Sequence, residues 1–173
     1  FPADTTYYSN QEARTDMTFV PGLSISRPIF TEHMRLTANV SNTFNKDKED
    51  TDITTTDLTE QGESLGTSSI QRTHVYQHTN LMNLSLDYNQ PLATKGFIET
   101  GYKGIMRNLN SDYERATQQN GEYIIDPLNT NVFEFKEQIH AAYFQYTGWQ
   151  GDKEAPKWKY NAGLRAEQVW NKG

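Results

Sequence analysis

The chain has 173 residues, a formal net charge of −6 and no cysteine. These totals exclude a disulfide framework and cysteine-based metal sites, and they argue against nucleic acid as a partner, because phosphate binding needs a basic face. No apolar run approaches the ~20 residues of a membrane-spanning helix. The mean hydropathy of −0.83 still leaves a transmembrane barrel open, since a barrel strand shows lipid only every second residue.

Helical periodicity is weak, and period-two alternation recurs along the chain. Met17, Phe19, Leu23 and Ile25 alternate with Thr18, Ser24 and Ser26. The cleanest run is 34–44, with Met34, Leu36, Ala38, Val40 and Phe44 on one face and Arg35, Thr37, Asn39, Ser41 and Thr43 on the other. Next, Tyr76, Met82, Leu84, Leu86 and Tyr88 oppose Gln77, Thr79, Asn83, Ser85 and Asp87. Ile98, Thr100, Tyr102 and Met106 then oppose Glu99, Lys103 and Arg107. Phe133, Phe135, Ile139, Ala141 and Tyr143 are expected opposite Lys136, Gln138 and His140. Finally Trp158, Tyr160, Ala162, Leu164 and Ala166 oppose Lys159, Asn161, Arg165 and Glu167. Each run is long enough to cross a bilayer as a tilted strand of ~9–11 residues.

The connections alternate in length. Short links are expected at 27–32 and 90–96, long polar loops at 45–69 and 108–131, and a moderate link at 148–157. Residues 1–16 read as the tail of another long loop, and 171–173 as the entry to the next. Short links on one side and long loops on the other are the habit of up-and-down membrane barrels. The fold class expected is therefore all-β, an antiparallel up-and-down meander of about six strands forming part of a larger transmembrane β-barrel. Residues 1–173 are read as one partial barrel without a plug domain or signal peptide, a piece of something longer or a processed product.

Several segments resemble the TonB-dependent-receptor-like outer-membrane β-barrel family. They are Leu86-Asp87-Tyr88-Asn89-Gln90-Pro91-Leu92, Lys95-Gly96, Gly101-Tyr102-Lys103-Gly104, the run from Phe135 to Tyr143, and Ala162-Gly163-Leu164-Arg165-Ala166-Glu167. The Asp112-Tyr113 and Asp126-Pro127 pairs fit as well. The resemblance is close over the second half of the chain, and over the first half it rests on alternation. It implies a Gram-negative outer membrane, a barrel of about twenty-two strands, an N-terminal plug, and nutrient uptake driven by the TonB energy-coupling system.

On this reading Glu99, Lys103, Arg107, Lys136, His140, Arg165 and Glu167 are candidates to line the lumen. Leu36, Val40, Leu84, Leu86, Ile139, Tyr143 and Leu164 are candidates to face lipid. The chain carries 10 Tyr, 8 Phe and 3 Trp, and Tyr88, Trp158, Tyr160 and Trp170 are expected at the headgroups, where an apolar ring with a polar tip fits. Expected partners are outer-membrane lipid and lipopolysaccharide, and further strands from this polypeptide or other chains. No cofactor, metal site or catalytic constellation is expected, and the chain is read as no enzyme. His74 and His78 share a strand face but stand ~13 Å apart, too far for one ion. The acidic stretch of Asp47, Glu49, Asp50, Asp52, Asp57, Glu60 and Glu63 reads as a solvated, mobile outer loop. The competing expectation is a soluble antiparallel β-sandwich that binds glycans through Trp149, Trp158 and Trp170. A hydrolase using Glu99 or Glu167 stands third.

Overall fold

A computed structural model describes residues 5–59, 61–92, 96–151 and 154–173. All of its regular structure is β: β1 (Thr5–Phe19), β2 (Gly22–Ile29), β3 (Thr31–Leu58), β4 (Ser64–Leu92), β5 (Gly96–Gln119), β6 (Glu122–Ile125), β7 (Asn131–Gly151) and β8 (Pro156–Lys172). They make one antiparallel sheet in the order β1-β3-β4-β5-β7-β8, with β2 also on β3 and β6 also on β5. Where the alternating segments suggest about six strands, the sheet has six positions, because β1 and β2 share one neighbour and β6 and β7 share another. A sandwich needs two sheets face to face, and the described residues form one. The competing fold fails on that point.

The expected long loops are corrected. β3 runs to Leu58 and β4 starts at Ser64, so most of 45–69 is strand. Its turn is tight: the Gly62 amide donates to the Thr59 carbonyl at 2.9 Å and the Thr59 amide to the Glu63 carbonyl at 2.7 Å. Glu60 lies outside the described residues. Likewise 108–131 is mostly β5 and β6, joined by Asn120 and Gly121, both left-handed at φ 53° and 86°, with Gln119 opposite Glu122. Two consecutive positive-φ residues make the primed turn that matches strand twist, and Asn-Gly is its strongest sequence signal. Residues 1–16 are corrected too, since β1 already begins at Thr5. The physical reason is shared by all three. A strand with water on both faces shows no apolar alternation, yet Thr-rich, β-branched sequence such as 51–56 still favours extended pairing. Of the shorter links, 93–95 and 152–153 lie outside the described residues, Lys95 among them; the link at 27–32 narrows to Phe30, itself left-handed at φ 61°.

Gly121→Ala would force a side chain into the left-handed region at about 1 kcal/mol. Hydrogen exchange at the Gln119 and Glu122 amides should accelerate by the corresponding factor, about five- to tenfold, while β8 amides stay unchanged.

Two compact units divide the chain. One comprises residues up to Thr18, Asn45–Thr79 and Leu109–Glu134; the other comprises Phe19–Phe44, Asn80–Asn108 and Phe135–Gly173. The first unit is laced by polar side chains. Arg72 grips Asp52 with two nitrogens at 2.8 and 3.1 Å and lays its guanidinium 4.3 Å over the Tyr123 ring. His74 pairs with Asp50, which Lys48 also meets at 3.1 Å, and Arg115 donates to Gln71 at 2.6 Å.

The second unit is apolar on one face, without a dry protein core behind it. Ala116, in the first unit, and Ala141 are the buried apolar residues among those described, whereas Leu164 is 82% exposed and Leu86, Phe144 and Trp158 are exposed as well. A soluble chain of this length ordinarily buries most of its apolar surface.

Candidate functional site

Register decides which residues share a face, because cross-strand partners in an antiparallel pair point to the same side. Between β7 and β8, Phe144 is opposite Leu164, Ala142 opposite Ala166 and Gly148 opposite Tyr160. That set forms the apolar face, which between β2 and β3 continues as Leu23 opposite Val40 and Ile25 opposite Ala38. Tyr143 is opposite Arg165, Ala141 opposite Glu167 and Gln145 opposite Gly163. These belong to the polar face.

The pairing corrects four assignments on β7. Ile139 and Tyr143, expected on the apolar side, share the face of Arg165 and Glu167. Lys136 and His140, expected beside that charged row, share the face of Leu164. β7 carries apolar residues at both parities, Ile139, Ala141 and Tyr143 against Ala142, Phe144 and Tyr146, so alternation alone leaves its orientation undecided, and a one-residue slip turns every side chain over. Polar contacts settle it. Tyr143 donates its hydroxyl to Asp87 at 2.6 Å, Gln145 donates to Glu99 at 3.2 Å, and Arg107 meets Glu137 at 3.3 Å. Turning β7 over would break all three and set Glu137 among hydrocarbon side chains.

The polar face is wired across the sheet. Ser24 donates to the Asn39 amide oxygen at 2.5 Å, Asn39 Nδ2 donates to Ser85 at 3.0 Å, and Ser85 donates to Asp87 Oδ2 at 3.2 Å. Tyr143 closes on the other Asp87 oxygen. Every donor points toward Asp87, the polarity an ionised carboxylate imposes, since it can only accept. The chain crosses β5 at Gly101, where an added Cβ would lie 2.6 Å from the Tyr143 ring and 2.8 Å from Asp87 Oδ1. A glycine there lets the tyrosine lie flat across the strand. None of this is visible without the register.

Other candidates on this face are held in pairs. Glu99 accepts from Asn89 at 3.3 Å as well as from Gln145, and Arg165 binds Glu167 at 2.7 Å. Lys103 has no ion-pair partner among the described residues. Together with Ser41, Asn83, Ser85, Asp87 and Arg165 it lines a cavity of about 660 Å³.

The aromatic candidates lie on the apolar face. Tyr160 sits over Gly148 with its hydroxyl 3.4 Å from that of Tyr146. Trp170 meets the His140 ring edge-on at 5.2 Å, and His140 in turn bonds the Tyr102 hydroxyl. Tyr88 donates to Gln90 at 3.1 Å. Trp149 differs: it stands on the polar face, 6.5 Å from Phe97. The three tryptophans therefore do not make one glycan platform.

In the first unit the Arg72 guanidinium beside Asp52 holds that carboxyl below its ordinary value of 3.8. A depressed folded value means the pair's contribution is complete above about 3.8 and is lost as pH falls through the lower folded value. Both partners are well exposed, so the contribution is small. Exchange protection at the 50–52 and 72–74 amides should hold at pH 5 and decline only below 3.8; Asp52→Asn should shrink that acid step, the remainder belonging to Asp50, whose carboxyl His74 and Lys48 also hold low.

Against known proteins, the family model described as the outer membrane protein beta-barrel family matches residues 10–173. No curated protein matches the chain.

Proposed function

Because the chain belongs to the outer membrane protein beta-barrel family and so is an outer-membrane protein, we propose that its second unit spans that membrane, apolar face to lipid and polar face to the barrel interior, as part of a TonB-dependent-receptor-like nutrient importer. The observation that carries this is a sheet face of exposed leucines and aromatics, Leu23, Leu84, Leu86, Phe144, Trp158 and Leu164, with no second protein layer over it among the described residues. In water such a face drives aggregation; against hydrocarbon it is satisfied.

Dimensions support the same reading. From Tyr160 to Trp170 β8 runs about 33 Å at ~3.3 Å per residue, which a tilt of ~40° projects to about 25 Å, the height of the apolar band in such barrels. Tyr160 and Trp170 then stand at opposite headgroup levels. Glu99, Lys103, Arg107, Arg165 and Glu167 line the interior, with Asp87, Glu137 and Tyr143 beside them. Leu36, Val40, Leu84, Leu86, Phe144 and Leu164 meet lipid.

The edges β1–β2 and β8 call for partners. An unpaired strand edge in hydrocarbon leaves backbone groups costing several kcal/mol each, so further strands, from this polypeptide or another chain, complete the wall. The segments resembling TonB-dependent receptors support uptake through a plugged barrel coupled to the inner membrane. Lipopolysaccharide contacts the outer surface.

Uptake is tested in cells. A strain lacking the protein should lose energy-dependent accumulation of one nutrient class, and collapsing the proton-motive force should reproduce that loss in the parent. If neither treatment changes accumulation and the deletion only sensitises cells to detergent, the barrel serves envelope structure instead.

A further inference from the structure

The polar-face cavity of the second unit is sorted into groups already engaged and groups on offer. Ser24, Asn39, Ser85, Asp87 and Tyr143 spend their hydrogen-bonding on one another. Arg165 is held by Glu167. Lys103 is left without an ion-pair partner, and Ser41 and Asn83 without side-chain hydrogen bonds, among the described residues.

We propose that this cavity binds a small hydroxylated organic anion of the acidic-sugar kind. Lys103 takes the carboxylate, and Ser41 and Asn83 take hydroxyls. The size fits: about 660 Å³ lies within the ~300–1,000 Å³ of small-molecule pockets. The chemistry fits as well. Asp87 repels an anion, but both its oxygens already accept, from Ser85 and from Tyr143, and the lining sets Lys103 and Arg165 against that one carboxylate. A free ammonium is a compact point charge with three donors, suited to one carboxylate. An amide and a hydroxyl can each donate and accept, which is what a sugar hydroxyl requires. The wired row also fixes the wall's rotamers, so the free groups are positioned before a ligand arrives, and less ordering is lost on binding.

The proposal rests on the polar face being the water-filled interior, and the two are tested separately. Calorimetric titration of the full-length protein in detergent uses galacturonate and galactose as probes. Galacturonate should bind at least tenfold tighter than galactose, and Lys103→Gln should abolish that preference while leaving galactose affinity unchanged. Asn83→Leu should weaken both. Equal affinity for the two sugars, no binding of either, or a preference that survives Lys103→Gln would overturn the site. Separately, Lys103→Cys in membranes should react with a charged, water-soluble thiol reagent. Reaction there without galacturonate preference sinks the site and leaves the facing intact. A cysteine inert to that reagent, whose membrane-permeant fluorescent label is quenched by nitroxide lipid, sinks the facing itself.

Discussion

Gly101→Ala is expected to destabilise the protein by about 3 kcal/mol, at the upper end of the range for overpacking a filled site. The new Cβ would lie 2.7 Å from the Leu86 carbonyl oxygen, 2.6 Å from the Tyr143 ring and 2.8 Å from Asp87 Oδ1. The first is backbone held in the sheet and cannot swing away. The other two are members of the wired row, so yielding would cost the Asp87–Tyr143 bond. Gly104→Ala on the same strand is the control. The three atoms nearest its Cβ would all belong to the Tyr102 side chain, the first at 3.1 Å, and a side chain can give by the few tenths of an ångström needed where backbone cannot. Urea unfolding of the protein in detergent or vesicles should separate the two by at least 2 kcal/mol, roughly the difference between a clash with fixed backbone and one with a mobile side chain. Equal effects would mean that β4, β5 and β7 do not approach as described.

Asp87→Ala should cost a similar amount, about 3 kcal/mol, for a different reason. It strands two donors, the Ser85 and Tyr143 hydroxyls, and hydrogen bonds to a charged acceptor are each worth ~1.5–3 kcal/mol. Asp87→Asn keeps one acceptor oxygen and should cost less than half as much. Tyr143→Phe removes one donor, and the cycle combining it with Asp87→Ala should show a coupling of about 1–2 kcal/mol, as residues in one network do. Additive effects would show that the 2.6 Å contact carries no stability.

The meander itself was legible because alternation is a strong signal where one face is apolar and the other is not. In 34–44 the two parities differ at nearly every position, and β3 has the facing they indicate, with Val40 opposite Leu23 and Asn39 opposite Ser24. β7 was legible as a strand but not in its orientation. Apolar residues at both parities leave hydropathy balanced, and the decision passes to Glu137 and Tyr143, whose partners lie on other strands. The parts of β3, β4 and β5 that belong to the first unit were illegible as strands for a related reason. Polar side chains on both faces erase the contrast on which period-two reading depends.

One local clue in that region was available. Asn120-Gly121, flanked by Gln119 and Glu122, is a two-residue hairpin signal, and it alone marks 108–131 as a hairpin rather than a loop. The polar wiring was beyond reach from sequence. Ser24, Asn39, Ser85, Asp87 and Tyr143 are scattered along the chain, and only strand register brings them into a line. Lys103 was picked out as one charge in a row, but that it has no ion-pair partner among the described residues emerges only when Arg107 and Arg165 are seen to be engaged with Glu137 and Glu167.

The central claim is that consecutive side chains of one strand meet lipid and a polar interior in turn, and β7 tests it best because its facing is the reverse of the sequence expectation. The chain has no cysteine, so single substitutions His140→Cys, Ala141→Cys, Ala142→Cys, Tyr143→Cys, Phe144→Cys and Gln145→Cys can each carry a fluorophore in vesicles doped with nitroxide lipid. Quenching at 140, 142 and 144, with aqueous collisional quenching at 141, 143 and 145, is the predicted result. Lipid quenching at the odd positions, or at neither set, would contradict it.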